Sequence, residues 1–198
     1  MKKDTRQLIL DTAKRLFNER GYNGVSLKDI ADELSISKGN LTYHFRKKEE
    51  IMETLVLDTP KKPFPSTVST LKELDDIFTD MQIILQEHSY YFLHHAQLST
   101  LSQKIRETQN YAYLEIVNTF QRSFLSLRSL DLLREETFEQ EYKRTINMLL
   151  MTCIYWAPFE QLQRSVGSIT DFRVQAWSTI YHLLTEKGRT ELESIVRL

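Results

Sequence analysis

The sequence predicts an all-α protein: an N-terminal three-helix helix-turn-helix domain followed by a helical-bundle domain. Three observations carry this. Five glycines and four prolines in 198 residues are too few for the many turns of a β fold. Apolar residues recur at spacings of three and four through most of the chain, the period of an amphipathic helix. No segment alternates apolar and polar residues with period two, and no internal repeat or low-complexity tract breaks the pattern.

Taken in order, Ile9, Ala13, Leu16 and Phe17 form the first apolar stripe, and Gly21 offers a left-handed stop after it. Leu27, Ile30, Ala31 and Leu34 form a second stripe, with Ser26 placed to cap its start and Asp29 three residues on as a short capping box. A break at Ser35-Ile36 follows. Ser37 then caps a third, short helix whose inward residues are Leu41 and Phe45, and a fourth helix runs through Lys47–Leu57. Pro60, Pro63 and Pro65 crowd the next segment, and proline cannot continue a helix. The junction is therefore expected at 59–66, dividing the chain into domains 1–58 and 59–198.

Beyond it the helical period returns in longer runs. Leu71, Leu74, Ile77, Phe78, Met81 and Leu85 share one face, and Tyr113, Ile116, Val117, Phe120, Phe124 and Leu127 another. Ile146, Leu149, Leu150, Cys153 and Ala157 make a third, which Pro158 is expected to end or kink. Trp177, Ile180, Tyr181 and Leu184 make the last, with Gly188 expected to close it.

Composition narrows the function classes. No apolar run approaches the roughly 18 residues that span a bilayer, and the N-terminus has no uninterrupted apolar stretch of the signal-peptide kind. Cys153 is the sole cysteine, which fits a cytoplasmic location and, inside LLMTCIYWA, a core role rather than a redox one. The net charge of −1 hides an asymmetry: residues 1–50 carry eleven Lys/Arg against eight Asp/Glu, whereas 51–198 carry fifteen against nineteen. The positive excess lies with the helix-turn-helix, where a nucleic-acid partner would need it.

The functional weight falls on Ser26–Phe45. Two helices of about eight residues joined by a short turn have the layout of a DNA-reading motif. With Leu41 and Phe45 turned inward, Lys38, Asn40, Thr42, Tyr43 and His44 face outward, nearly all of them hydrogen-bonding groups suited to base edges and phosphates. Ser37 and Lys38 sit at a helix N-terminus that favours a phosphate. Gly39 permits close backbone approach, and Lys47 and Lys48 follow at once.

This segment resembles the DNA-binding domain of the tetracycline-repressor (TetR) family. LILDTAKRLFNERGY leading into VSLKDIADELSISKGNLTYHFRKKEEI follows that family's pattern nearly position by position, over residues 5–55. The resemblance implies phosphate contacts from Ser26 and Lys28, base-edge approach by Lys38, Gly39 and Asn40, and backbone contacts from Tyr43, His44 and Lys48. Thr42 departs from it, standing where the family more often has tyrosine, and this touches which operator is read. The resemblance also implies an all-helical regulatory domain whose last two long helices pair with a second subunit. Tyr155, Trp156 and Trp177 are the interface candidates, with completion of the monomer core as the alternative. A small-molecule pocket is implied among the middle helices, for which Tyr91, His94, His95, Gln109, Tyr113 and Phe120 are the candidates, although an aromatic stripe at helical spacing is more often core.

No cofactor or metal is expected: His88 and His95, seven apart, lie two turns from each other, too far to share an ion on one straight helix. Nor is an enzyme expected, since no phosphate-binding glycine loop, nucleophile elbow or Glu-x-x-His pair is present. The expected protein is a ligand-responsive repressor that holds a palindromic double-stranded operator as a homodimer, two modules being needed for firm binding. The alternatives are a DNA-binding regulator without a small-molecule sensor and a helical interaction protein that does not bind DNA.

Overall fold

The computed structural model describes residues 4–57 and 64–196. Among them the chain is helical: α1 (Thr5–Arg20), α2 (Leu27–Glu33), α3 (Lys38–His44), α4 (Lys48–Leu57), α5 (Leu71–Glu87), α6 (Ser89–Leu93), α7 (His95–Leu101), α8 (Gln103–Ser129), α9 (Glu141–Ser165), α10 (Phe172–Ile180) and α11 (Glu186–Ile195), with a 3-10 turn over Tyr181–Leu183. An isolated bridge between Leu133 and Leu184 is the β pairing seen among the described residues. Pro60 and Pro63, with most of the expected 59–66 junction, lie outside them.

Two compact units are present, and the first is discontinuous: Met1–Lys61 with His88–Asn110, and Lys62–Glu87 with Tyr111–Leu198. The expectation of continuous domains 1–58 and 59–198 left residues 88–110 with the second domain. They pack instead with the N-terminal helices.

In the first unit the expected stripes converge on one core. Ile9, Ala13, Leu16 and Phe17 of α1 meet Ile30 and Ala31 of α2, Leu41 of α3, and Ile51 and Met52 of α4. Tyr90, Leu98 and Ile105 from the later segment complete the same cluster. Gly21 ends α1 at φ 72° and ψ 157°, its N–H donating to the Phe17 carbonyl. That is positive-φ backbone open to glycine, though not the left-handed helical well expected. Ser35 does occupy positive φ (53°) at the expected break between α2 and α3. Phe45 is buried as expected but stands just past α3 in extended backbone.

The second unit buries Leu71, Leu74, Ile77, Phe78 and Leu85 of α5 against Phe120, Phe124 and Leu127 of α8, Ile146, Leu149 and Leu150 of α9, and Trp177 of α10. Asp75 lies buried beneath this layer. Its carboxylate accepts two bonds from the Arg173 guanidinium, at 2.5 and 2.7 Å, and one from the Trp177 indole N–H at 3.0 Å, so the charge is neutralised where water is scarce.

Several local expectations change here. Pro158 sits inside α9, which runs on to Ser165. A proline in a helix interior costs about 3 kcal/mol, and the packing of Trp156 and Ala157 on one side of the kink position outweighs it. The last stripe is not one helix: α10 ends at Ile180 and Leu184 is extended. Gly188 lies within α11, where a Cβ would stand 2.2 Å from the Leu132 carbonyl oxygen. It marks a close approach rather than a helix end. Tyr113 is exposed rather than part of its stripe's buried face.

Candidate functional site

The helix-turn-helix is built by capping and by one apolar contact surface. Ser26 caps α2 reciprocally, its hydroxyl accepting from Asp29 N–H (3.2 Å) while its own N–H donates to the Asp29 carboxylate (2.7 Å). The Ser26 hydroxyl, which also donates to the Asp29 carboxylate, and then the Ser26 N–H hold that carboxyl below its usual pKa. Ser37 caps α3 by accepting from Asn40 N–H at 3.1 Å. Seven residues are too few for a helix that is stable alone, so α3 depends on Leu41, which is fully buried, and on Phe45 beyond its end.

The opposite face of α3 is open. Tyr43 is 85% exposed, and its ring stands edge-on to His44 with centroids 5.2 Å apart. Lys38, Gly39 and Asn40 are exposed, and Thr42 is half-buried with its hydroxyl donating to the Gly39 carbonyl (3.2 Å). That internal bond leaves the Thr42 methyl and both hydroxyl lone pairs to whatever approaches. His44 is half-buried; Ser26, Lys28 and Ser37 are exposed. Nine of the ten residues expected to meet nucleic acid therefore stand on α2, on α3 or at their N-caps, and an aromatic side chain this bare on a packed domain takes no part in its core.

Lys48 is the tenth and is placed differently. Its ammonium turns inward, donating to the carbonyls of Tyr22 (2.7 Å) and Val25 (2.8 Å) and lying 4.1 Å from the centre of the Tyr22 ring. Burial lowers its pKa, and burial beside the Glu49 carboxylate pushes the Tyr22 phenol up to about 12. Sequence reasoning passed over the 21–25 segment that receives this lysine. The Gly-Tyr pair was quoted, but nothing local tells that two of its carbonyls converge on a cation.

The six residues expected to hold a small molecule divide between the units. In the first, the His94 ring nitrogen Nε2 accepts from Tyr22 N–H (3.3 Å), Tyr91 stands edge-on to His95 (5.2 Å), and the Gln109 amide donates to the His95 carbonyl (3.2 Å). The His94 ring nitrogen and the Gln109 amide are thus engaged within the unit, and burial lowers the His95 pKa. In the second, Tyr113 is exposed, and Phe120 borders a cavity. This void of about 30 Å³ is walled by apolar side chains, among them Ile77, Met81, Ile116, Phe120 and Leu149, with the Cys153 thiol as the one ionisable group among its lining residues. Desolvation among these apolar side chains pushes the Cys153 thiol up to about 12, so it stays protonated. Those wall residues carried the helical period of ordinary core, which is why spacing could not separate them from it.

Of the three aromatic residues proposed for a subunit interface, Trp156 and Trp177 are buried in the monomer and Tyr155 is exposed. Tyr155 belongs to an outward row on α9 formed by Met148, Met151, Tyr155, Phe159 and Leu162, each more than 45% exposed. Their spacing of three and four places them on one helix face. Among the described residues no group of three or more His, Cys, Asp or Glu could hold a metal ion, and no helix is long and apolar enough to cross a membrane.

Comparison with known proteins agrees with this geometry. Residues 9–55 match the family model "Bacterial regulatory proteins, tetR family". Over 48 residues the chain is 48% identical to the biofilm operon icaADBC HTH-type negative transcriptional regulator IcaR of Staphylococcus aureus, covering 24% of this chain and 26% of that protein. The chain thus matches about a quarter of the length of this curated relative. Among solved structures, a TetR-family transcriptional regulator from Marinobacter aquaeolei VT8 superposes with a TM-score of 0.77 at 20% identity, covering 97% of both chains. A candidate transcriptional regulator from Saccharomonospora viridis, in complex with choline, does so with a TM-score of 0.66 at 23% identity, covering 91% of this chain and 97% of that one. These two likenesses extend the shared fold across both units.

Proposed function

We propose, from the match of residues 9–55 to the tetR family model, that the chain is a transcriptional repressor that grips a two-fold-symmetric operator as a homodimer and lets go when a small apolar molecule enters its second unit. The observation that carries the DNA reading is the bare Tyr43 beside exposed Lys38, Gly39 and Asn40 on a helix locked from beneath by Leu41. An outward row of donors and an aromatic ring, held rigid at low entropy cost, is the arrangement that a major groove accepts. Repression is supported by the negative regulation stated for IcaR.

The row Met148–Leu162 supports the homodimer. Ile146, Leu149, Leu150, Trp156 and Ala157 already bury the other side of α9, so the helix is apolar on two faces, and a helix of that kind is covered on both in its working state. A second copy of the same helix covers the row without any further protein, as two-fold assemblies do. Dimerisation then doubles the reading heads and sets them a turn of DNA apart.

The apolar cavity of the second unit supports the effector. Its walls offer no charged group, so an uncharged apolar molecule fits their chemistry, and at about 30 Å³ it holds one or two waters at most. A ligand of ordinary size, filling hundreds of Å³, must open it, and this difference between closed and opened packing is what would bias the protein between DNA-holding and releasing states. The same small volume favours a second reading, a DNA-binding regulator whose second unit only dimerises.

Selection of bound fragments from random duplex DNA tests the reading. Enrichment of a two-fold-symmetric site, bound with an affinity that falls steeply with salt, is the expected result. No enrichment of any symmetric site would sink it. A panel of apolar compounds that neither raises the melting temperature nor releases the recovered duplex would decide for the second reading.

A further inference from the structure

The resemblance to TetR-type domains makes Lys48 a phosphate contact; the geometry points to a different task. We propose that Lys48 is a positioning residue, an internal cationic brace that fixes the turn between α1 and α2 and so sets the phosphate-facing start of α2, while the phosphate contacts themselves come from exposed neighbours such as Lys28 and Lys47. This rests on the DNA-binding reading above.

The turn is short and tightly built. Gly21 leaves α1 at positive φ. Tyr22 is buried, with its ring edge-on to Phe17 at 5.3 Å and its N–H donated to His94. At Gly24 a Cβ would stand 2.5 Å from the Arg20 carbonyl oxygen, so the backbone passes close against the end of α1. Val25 is buried and Ser26 begins α2. Folding the chain this way aims the Tyr22 and Val25 carbonyls at one point in a half-buried place. Neither serves a helix ladder; the Tyr22 carbonyl is approached otherwise only by Val25 N–H at 3.5 Å. The Lys48 ammonium fills that point, with 2.7 and 2.8 Å bonds to the two oxygens and the Tyr22 ring under it.

Two carbonyl dipoles and an aromatic face make a site for a cation. Leaving it for a phosphate would strip two partly buried acceptors of their charged donor. Lys28 and Lys47 are exposed and free of that cost. The consequence reaches the DNA through Ser26: Val25 precedes the α2 cap, so a brace on its carbonyl holds the cap, and with it Lys28, at one height above the backbone of the duplex.

Salt dependence separates the two tasks. A side chain that neutralises a phosphate contributes to the slope of log affinity against log salt, by about 0.9 per contact; a brace does not. Full-length wild type, Lys28→Met, Lys48→Met and Lys48→Arg are titrated over a series of salt concentrations with a random-sequence duplex several turns long. Lys28→Met is expected to flatten the slope by about one contact per subunit. Lys48→Met is expected to weaken binding about tenfold at every salt with the wild-type slope, and Lys48→Arg to recover part of it by donating to the same carbonyls. Hydrogen exchange on the protein without DNA is the second measurement: in Lys48→Met the amides of Asn23 to Leu27 exchange at least tenfold faster, while those of the α9 core are unchanged. A slope flattened by Lys48→Met as much as by Lys28→Met overturns the proposal, and so does unaltered exchange in the turn. A Lys48→Met chain that no longer folds without DNA supports it, because loss of a phosphate contact alone leaves the free protein intact. If wild type binds no duplex, the DNA-binding reading fails by itself, and exchange in the turn still decides the brace.

Discussion

The side-chain oxygen of Asn18, in the last turn of α1, accepts from the N–H of Tyr90 at 3.0 Å and from the Ser89 hydroxyl at 3.0 Å. It caps α6 from another helix, the His88 side chain at the cap position making no capping bond to the backbone. A segment seventy residues away in sequence thus closes its own helix end on the N-terminal helix of the same unit. Asn18→Ala removes the acceptor and is expected to cost about 1 kcal/mol, the usual worth of a helix cap, read as a lower denaturation midpoint at an unchanged m-value.

The same segment supplies Tyr90, Leu98 and Ile105 to the helix-turn-helix core, all at 1% exposure or less. Leu98→Ala is expected to cost about 2–5 kcal/mol by leaving a cavity, and to weaken DNA binding although it lies far along the chain from α3. A chain that melts as wild type does would contradict the shared core.

Tyr43 behaves oppositely. Its side chain has little buried surface to lose, so Tyr43→Ala should change stability by no more than about 0.5 kcal/mol. Operator affinity should fall roughly tenfold or more. Fluorescence anisotropy and thermal melting on the same preparation separate the two effects.

Asp75 and Arg173 form the buried pair of the second unit. Arg173→Met leaves the carboxylate with the indole N–H of Trp177 alone and is expected to cost about 3 kcal/mol, toward the low end for a broken buried pair because the guanidinium is partly exposed. Asp75→Asn combined with Arg173→Met should recover part of the loss, which a double-mutant cycle in urea measures.

Glu141 gives the pH dependence. Hydrogen bonds from Arg134 foremost, then from Thr137, hold its carboxyl at about 2 rather than the ordinary 4.5. A carboxyl depressed in the folded state stabilises above its unfolded value, and the stabilisation drains away as pH falls from about 4.5 towards 2. Glu141→Gln should therefore melt lower than wild type at neutral pH, with the gap narrowing through that acid window. A gap of constant size from pH 7 to pH 2 would exclude the linkage.

The helices of the N-terminal unit were legible because their determinants are local. Ser26 with Asp29, Ser37 with Asn40, and the stripes ending in Leu41 each act within a turn or two of chain, where spacing and side-chain type settle the outcome. The exposed face of α3 followed by subtraction: once Leu41 and Phe45 are inside, Lys38, Asn40 and Tyr43 have one direction left. The pairing of carbonyls with Lys48, the cap from Asn18, the division of the six pocket candidates between units, and the opposite fates of the adjacent Tyr155 (exposed) and Trp156 (buried) were not legible. They depend on which helix lies opposite, and periodicity does not name a helix's neighbour.

What the order of residues determined by itself is the helices of the helix-turn-helix, their boundaries near caps, and the outward chemistry of the short reading helix. Tertiary packing alone decided that 88–110 completes the N-terminal core, that Pro158 is carried within α9 and that Gly188 marks a contact rather than an end. The physical reason is range: a capping bond or a helical stripe is satisfied inside a few residues, whereas burial is shared among segments far apart and is settled only when all of them have met.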